Sequence, residues 1–580
     1  MKVLLLHPGI APWDGCWAHE TWDLVVDLGY ASRDTYDEWS RKLGTRVLSI
    51  HEYVRGVESY RWVNEFFELG RGKLLDRMGL DWWELLSMES YQDLHVLYLC
   101  RILRSDINST GVELGASNPH RLVRIAEQVF GTRAHYYKPG TGNTSRRLIR
   151  ALRSARNLRS EQILEIAFDK WDAGLKVRRR WSKHKQVHLE DEAVLLPSAY
   201  SNVTRSVLAY AAQLPERRFL LVTTRSSAVP TQLPSNVSIA PLAAYAVSAD
   251  AVEDEVAELR KGWESFLSTM ACEQEEYKYA ANAHLWDYVP AHLEQGVQIR
   301  EAWRQVMDAE PLSGVLCGDD LNYHTRLPLV LAQRSHLRAI YCSHGALDGC
   351  FLFKQPFANC FLVKGKMEAD YLLHIAGISR EKILSAAPGQ RPAAVRGGDA
   401  IVFFSQPFEV VNGRTDSIYQ EVLPRLCSVA MRTGRKVIVK LHPFESKRAR
   451  QKLVGSILGQ NFEDVVEIVD GQPPEQVMSL AWCGVTVDSS VAVECALRKI
   501  PFFVCGWLDF AGMEYLRQYA QAGAARVLSS PNEIMRIPEM VAEHPDDELV
   551  PNRLWQPANS SQLDEILFGA KQASLDRCAC

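Results

Sequence analysis

The stretch from Lys436 to Trp507 constrains this chain more than any other. It opens KVIVKLHPFES and closes CGVTVDSSVAVECALRKIPFFVCGW. Each half is a short β-branched run, a polar break and then an amphipathic helix. Apolar content and length predict a buried strand over Val437–Leu441. A side-chain period of two puts Ile438, Lys440 and His442 on one side of it. Pro443 has no N–H to extend a ladder, so His442 falls where the strand ends. In an open α/β sheet, ligands bind outside that end. Val485–Val487 predicts a second strand, and Asp488-Ser489-Ser490 opens the helix after it. A helix N-terminus offers unpaired N–H groups and a partial positive charge. Two hydroxyls there, with Lys440 and His442 on a neighbouring strand end, are expected to form a diphosphate cradle. Taken singly, Ser489 and Ser490 read equally well as helix caps, and a lone strand-end histidine as a structural residue. The pairing of K-x-H-P with D-S-S-x-x-x-E in one βαβαβ unit is what favours phosphate handling.

The same grammar recurs upstream. Lys2–Leu6, Arg46–Ile50, Val112–Gly115 and Ala134–Tyr137 predict strands, with a helix over Pro119–Phe130 and aromatic-rich helices between Tyr60 and Arg104. Residues 1–145 therefore form an α/β module, whose aromatics read as core. Trp13, Trp17 and Trp22 near the first strand end leave a sugar platform open. Gly140-Thr-Gly142-Asn-Thr-Ser145 lacks the Gly-Lys-Ser/Thr ending of a phosphate loop and reads as a plain loop. Residues 146–190 follow as a basic helical linker. Its run through Lys185, with Arg178-Arg179-Arg180, reads as a solvated helix or as a contact for anionic lipid headgroups or glycans.

A second unit spans 191–375. Ala193–Leu196 and Phe219–Thr223 are expected strands around the helix Thr204–Leu214, and long helices fill 250–308. Then Gly314–Cys317, Arg338–Cys342 and Cys360–Val363 predict strands. The first ends in Gly318-Asp319-Asp320 and the second in Ser343-His344-Gly345, so a carboxylate pair and a histidine meet at strand ends. His344 with Asp319 or Asp320 makes a candidate acid/base set; a helix cap and a turn are the plainer readings. The third unit, 376–580, starts with the strand Ala400–Phe404 and the helix Ile418–Thr433, and holds the opening stretch and the strand Ala525–Leu528. Repeated strand–helix alternation predicts an α/β chain with parallel sheets.

Bulk properties exclude more than they assign. The 580 residues are 47% hydrophobic and carry a formal net charge of −4, which gives no argument for nucleic acid. The 13 cysteines include no C-x-x-C pair or metal-ligand spacing, which fits a reducing cytoplasm. No run approaches a signal peptide or a membrane span. No expected strand is followed by G-x-G-x-x-G, so a dehydrogenase is disfavoured. Asp319-Asp320 lacks the D-x-D spacing of a metal-dependent sugar transferase, so no metal is expected.

The motifs S-H-G, F-L-V-K-G-K-M-x-x-D-Y, G-I-S-R-E-K-I, V-K-L-H-P and D-S-S-V-A-V-E-C-A-L-x-K-I-P occur in that order. Over residues 190–540 this resembles the bacterial surface-polysaccharide transferases of the two-domain GT-B fold. Those include capsule synthesis proteins, sialyltransferases with an H-P motif and CDP-glycerol glycerophosphotransferases. Residues 1–145 have no part in the resemblance. It implies a GT-B pair of Rossmann-type domains, acceptor side 191–375 and nucleotide-donor side 376–580. It also implies a glycosyltransferase acting in capsule or O-antigen type polysaccharide assembly, cytoplasmic or peripheral at the membrane's inner face. A nucleotide-activated sugar is then the co-substrate and a glycan or lipid-linked glycan the acceptor, with no resident cofactor. By position, His442, Ser489 and Ser490 contact the donor phosphates, Lys440 adds charge at the leaving group and Glu494 reaches the ribose. The base is Asp319, Asp320 or His344: the H-G pair favours His344, while the order Gly318-Asp319-Asp320 departs from the sialyltransferase pattern. The alternatives are a CDP-polyol phosphotransferase, a nucleotide-sugar epimerase, and a non-catalytic glycan-binding protein of GT-B shape.

Overall fold

The computed structural model describes residues 1–7, 10–13, 16–53, 58–107, 111–116, 120–137, 187–225, 228–344, 357–395, 397–408, 413–442, 445–459, 461–471, 474–487, 489–508, 515–543 and 549–569. The expected loop 140–145 and the basic linker run to 185 lie outside them.

Among the described residues three sheets are formed, and every strand pairing in them is parallel. The first joins Lys2–Leu6 (β1), Leu24–Asp27 (β2), Arg46–Ser49 (β3), Glu113–Ala116 (β4) and Ala134–Tyr136 (β5), in the order β3-β2-β1-β4-β5. The second takes Ala193–Ser198 (β6), Arg218–Thr223 (β7), Val237–Pro241 (β8), Leu312–Cys317 (β9), Arg338–Cys342 (β10), Cys360–Val363 (β11) and Ile383–Ser385 (β12). Its order is β12-β11-β10-β9-β6-β7-β8. The third takes Ala400–Phe404 (β13), Lys436–Lys440 (β14), Val466–Val469 (β15), Ala481–Thr486 (β16), Phe502–Cys505 (β17) and Arg526–Leu528 (β18), in the order β15-β14-β13-β16-β17-β18. In each sheet the first three strands run one way from the first strand and the fourth pairs on its other side. That is the doubly wound, Rossmann-type order, and it opens a crevice where the direction reverses.

Parallel strands are covered on both faces, so they need continuous apolar runs. All five residues of β13 are buried, as are Val3–Leu6 of β1. Burying a Val, Leu or Phe side chain stabilises by roughly 1.5–3 kcal/mol, so these central strands anchor their domains. Gly484 in β16 faces the rings of Phe502 and Phe404, and an added Cβ would overlap Phe502.

Five strands stand where the sequence reading assigned none: β2, β8, β12, β15 and β17. Each is only three to five residues long, too short for a period of two to stand out. β12 carries the second sheet past residue 375, and the C-terminal segment returns to it. Leu563 and Leu567 of the Ser560–Phe568 helix enter its core, Arg217 pairs with Asp564, and the Arg338 guanidinium donates to the Glu565 and Ile566 carbonyls at 2.6 Å.

The first module is welded to the second domain through helices. Phe66 stacks on Tyr277 at 4.3 Å within an aromatic group that includes Trp83, Trp263 and Trp286. Beside it the fully buried Arg300 donates to Asp76 at 2.5 Å and to Glu255 at 2.7 Å. Trp17 is core, and Trp22 packs on Tyr137, so neither forms an open platform; Trp13 is exposed, with Lys42 over its ring at 4.6 Å. Among the described residues, no helix is long and apolar enough to cross a membrane.

Candidate active-site cleft

On the third sheet, β13 lies between β14 and β16. At a strand spacing of ~4.8 Å, the ends of β14 and β16 stand roughly 10 Å apart, a span suited to a diphosphate. β14 carries Val437 and Val439 into one core layer and Ile438 into the other. Lys440, on the Ile438 side, has run out of hydrophobic partners, and its buried ammonium turns to donate to the Leu441 carbonyl at 2.7 Å. Burial pushes the Lys440 pKa down, opposed by the carboxylates of Asp470 and Glu445. Burial also lowers the His442 pKa, and the neighbouring Lys440 charge adds to that.

The turn that presents His442 is held by a carboxylate. The Glu445 side chain is fully buried; it accepts from the His442 N–H at 2.8 Å, the Ser405 hydroxyl at 2.8 Å and Arg450 Nε at 2.7 Å. Ser405 follows β13, and its hydroxyl also meets the Tyr419 hydroxyl at 2.6 Å. The ends of β13 and β14 are thus tied together beneath His442. Sequence reasoning passed over Glu445 because the H-P pair drew the reading to Pro443. A carboxylate three residues after the strand-end histidine was the available signal.

Across β13, Ser489 and Ser490 lie after the end of β16; Asp488 and Pro443 lie outside the described residues. The helix they open, Val491–Leu497, is only seven residues long. Ser490 caps it without a side-chain bond, while the Ser489 hydroxyl accepts from the Val491 N–H at 3.3 Å. So short a helix has a weak macrodipole, and attraction for phosphate here must come from the hydroxyls and from Lys440 and His442. Glu494 is half-buried one turn on. Burial raises its pKa, opposed by Arg205, Arg498 and Lys364. Arg205 and Lys364 belong to the second domain, so Glu494 stands where the two carboxyl edges face each other.

The facing edge is made by β9 and β10, paired with Tyr341 opposite Cys317. His344, just beyond β10, places Nδ1 2.6 Å from the Gly318 carbonyl beyond β9. A carbonyl only accepts, so Nδ1 carries the proton and Nε2 is the basic nitrogen of the neutral ring. The hydrogen-bonded histidine–carboxylate set expected from sequence is therefore not what forms: the main chain, not Asp319 or Asp320, orients His344. Asp319 is committed to the local turn, accepting from the Leu321 N–H at 3.1 Å and from Asn322 Nδ2 at 3.0 Å. Asn322 in turn caps the Tyr323–Arg334 helix. The carbonyl of the buried Asp320 accepts from Arg326 Nε at 3.1 Å. Gly345 lies outside the described residues. Among the described residues, no group of three His, Cys, Asp or Glu side chains is placed to hold a metal ion.

The first module reaches the same place. The Asp27 carboxylate at the end of β2 takes both Arg414 Nε and Nη2, and Arg414 begins the helix that follows β13. On the other side, Arg326 Nη1 donates to the Glu84 carbonyl at 2.7 Å. Asp27–Arg414 thus ties the carboxyl edge of the first sheet to that of the third, and Glu84–Arg326 ties the first module to the helix after β9.

Two Rossmann-type domains with opposed carboxyl edges are the GT-B arrangement; here a third doubly wound sheet is added to it. No protein-family model and no curated protein matches the chain. Among solved structures, it is similar to the UDP-GlcNAc 2-epimerase of Methanocaldococcus jannaschii in complex with UDP-GlcNAc and UDP. That match has 10% identity and a TM-score of 0.41, covering 65% of this chain and 98% of that one. It is similar also to the spinosyn rhamnosyltransferase SpnG complexed with thymidine diphosphate, at 16% identity and a TM-score of 0.36, covering 67% and 99%. A variant of the wall teichoic acid polymerase TagF matches at 9% identity and 0.37, covering 70% and 95%. At these scores the likeness adds nothing to what the chain's own strand order shows.

Proposed function

We propose that the protein is a nucleotide-sugar-dependent glycosyltransferase of bacterial surface-polysaccharide assembly, of capsule or O-antigen type. The observation that carries this reading is the pairing of opposite edges. A histidine of fixed tautomer stands at the end of β10, and Lys440 and His442 stand at the end of β14 across from it.

In this reading His344 Nε2 takes the proton of an acceptor hydroxyl. The freed oxygen bonds to the anomeric carbon of the donor as that carbon's bond to the phosphate oxygen breaks. Charge gathers on the departing phosphate, where Lys440, His442 and the hydroxyls of Ser489 and Ser490 stabilise it. Removing one preorganised donor of this kind typically costs about a hundred- to a thousandfold in rate. Glu494 sits one turn along the helix, placed for the ribose. Asp319 supports the wall by holding Asn322, and Asp320 anchors Arg326. In this reading these side chains stabilise the charge, and the nucleotide sugar enters as co-substrate rather than cofactor. Acceptor and anionic-membrane contacts through 146–185 belong to the same proposal, as does action at the inner face of the membrane.

A CDP-polyol phosphotransferase uses the same two histidines and is the second reading. Incubation with CMP-, CDP-, UDP-, GDP- and TDP-activated sugars and with CDP-glycerol, reading the released nucleotide, tests both. Release from a nucleotide sugar that His344→Ala abolishes supports glycosyl transfer. Release of CMP from CDP-glycerol alone moves the phosphotransferase forward. No release from any donor, with or without added glycans, leaves a glycan-binding protein of GT-B shape.

A further inference from the structure

We infer that the junction between the second and third domains carries a binding site for a hydroxyl-rich small molecule with a phosphate group, of the sugar-phosphate class. The site lies along the helix Lys366–His374, apart from the phosphate cradle, and does not depend on the proposed reaction.

Two of the sequence motifs, K-G-K-M-x-x-D-Y and G-I-S-R-E-K-I, have no part in that cradle. The first leaves β11 and opens the helix Lys366–His374; the second follows that helix into β12. Both line cavities at the domain junction. One cavity, of about 500 Å³, opens between this helix, the helix Tyr515–Ala522 of the third domain and the returning helix Leu549–Leu554. Small-molecule sites are typically roughly 300–1,000 Å³ and favour domain interfaces. The buried Met367, Tyr371, Gln518 and Ala522 form its floor, and Gln521 and Arg553 are exposed at its rim. A second cavity, of about 380 Å³, lies along the same helix and adds Arg380; Lys366, Asp370 and His374 line both.

The charges here do not cancel. Asp370 is the one carboxylate among the described lining residues, and Lys366 Nζ already donates to both its oxygens at 2.8 Å. Arg553 in the larger cavity and Arg380 in the smaller form no ion pair among the described residues. A guanidinium fork matches a phosphate, which can take two parallel hydrogen bonds from it. The amides of Gln518 and Gln521 both donate and accept, as a hydroxyl-bearing body requires. Arg553 is then the phosphate anchor, and Arg380 adds positive field from across the ridge. A ligand seated there touches a helix from each domain and holds the two at one spacing.

Calorimetric titration of the full chain tests this with glucose 1-phosphate, N-acetylglucosamine 1-phosphate and glycerol 3-phosphate, beside glucose and inorganic phosphate. At least one of the three esters is expected to bind the wild type and His442→Ala alike, and more tightly than either control. Arg553→Gln should weaken that binding about tenfold or more, the loss of a charge-assisted hydrogen bond; Arg380→Gln should weaken it less. Arg553→Lys should restore part of it. The Arg553 side chain is exposed and only its carbonyl packs on Gly365, so an unchanged melting temperature is expected without ligand. Binding of no ester, equal binding in Arg553→Gln, or inorganic phosphate binding as tightly as the best ester would overturn the site. Binding lost in His442→Ala and kept in Arg553→Gln would also overturn it, while supporting the donor cleft of the proposed function.

Discussion

Asp27 and Arg414 are 387 residues apart in the chain, yet they form a two-pronged buried ion pair with N–O distances of 2.8 and 2.9 Å. The pair joins the end of β2 in the first module to the helix after β13 in the third domain. Arg414 also lies over the Trp39 ring at 4.5 Å, and Asp27 accepts from the Tyr36 hydroxyl at 2.9 Å. Breaking such a pair from one side strands a buried charge, at a cost of about 3–5 kcal/mol. Asp27→Ala is therefore expected to lower the urea midpoint sharply. The Asp27→Leu/Arg414→Met double variant should lose less than Asp27→Ala, because no charge is left uncompensated. Equal losses in the two would mean that the pair contributes by packing rather than by charge.

His344 is expected to act in the chemical step and not in donor binding. His344→Ala should reduce turnover about a hundred- to ten-thousandfold, the range for a positioned general base. Nucleotide affinity should stay unchanged, since His344 lies on the opposite edge from β14. Steady-state kinetics beside nucleotide titration separates the two effects.

The state of His442 sets a pH dependence. In the free protein its pKa lies below the usual 6.5, through burial and then through Lys440. A bound diphosphate is an opposite charge and raises that pKa. Binding therefore takes up a proton when the pH lies between the two values, and affinity falls as pH rises through that window. The wild type should show this slope by calorimetry, with heat that varies with buffer ionisation. His442→Gln should bind more weakly and show no slope of that origin.

Glu445 does not face the ligand in this account; it positions the residue that does. Glu445→Gln exchanges one acceptor oxygen for a donor and cannot serve the His442 N–H, Ser405 and Arg450 together. Nucleotide binding should weaken about tenfold, the loss of one to two hydrogen bonds, while the chain stays folded. A rise in KM for the donor with little change in kcat marks a positioning role.

The strand ends that carry Lys440, His442, Ser489 and Ser490 are legible in the sequence, because they sit within contiguous strand–break–helix units whose period can be read directly. That all three sheets are parallel follows from the same alternation once the strands are known. What local pattern does not carry is pairing at a distance. Asp27 is the last residue of a four-residue strand, and nothing near it in sequence announces Arg414. The Gly318 carbonyl that fixes His344 is main chain, which has no signature in residue types, so the carboxylates beside it drew the expectation instead. Glu494 sits on a helix shorter than its sequence suggests, ended by Arg498 and by Lys499, whose φ is +61°.

Whether Lys440, His442, Ser489 and Ser490 hold a nucleotide's phosphates decides the account. A thermal-shift panel of CMP, CDP, UDP, GDP, TDP and ADP on the wild type and on His442→Ala measures it directly. A ligand at about a hundredfold excess over Kd raises stability by roughly 2.7 kcal/mol when only the native state binds it. The account predicts a clear rise with at least one nucleotide, lost or strongly reduced in His442→Ala. No rise with any nucleotide, or an equal rise in the variant, would contradict it.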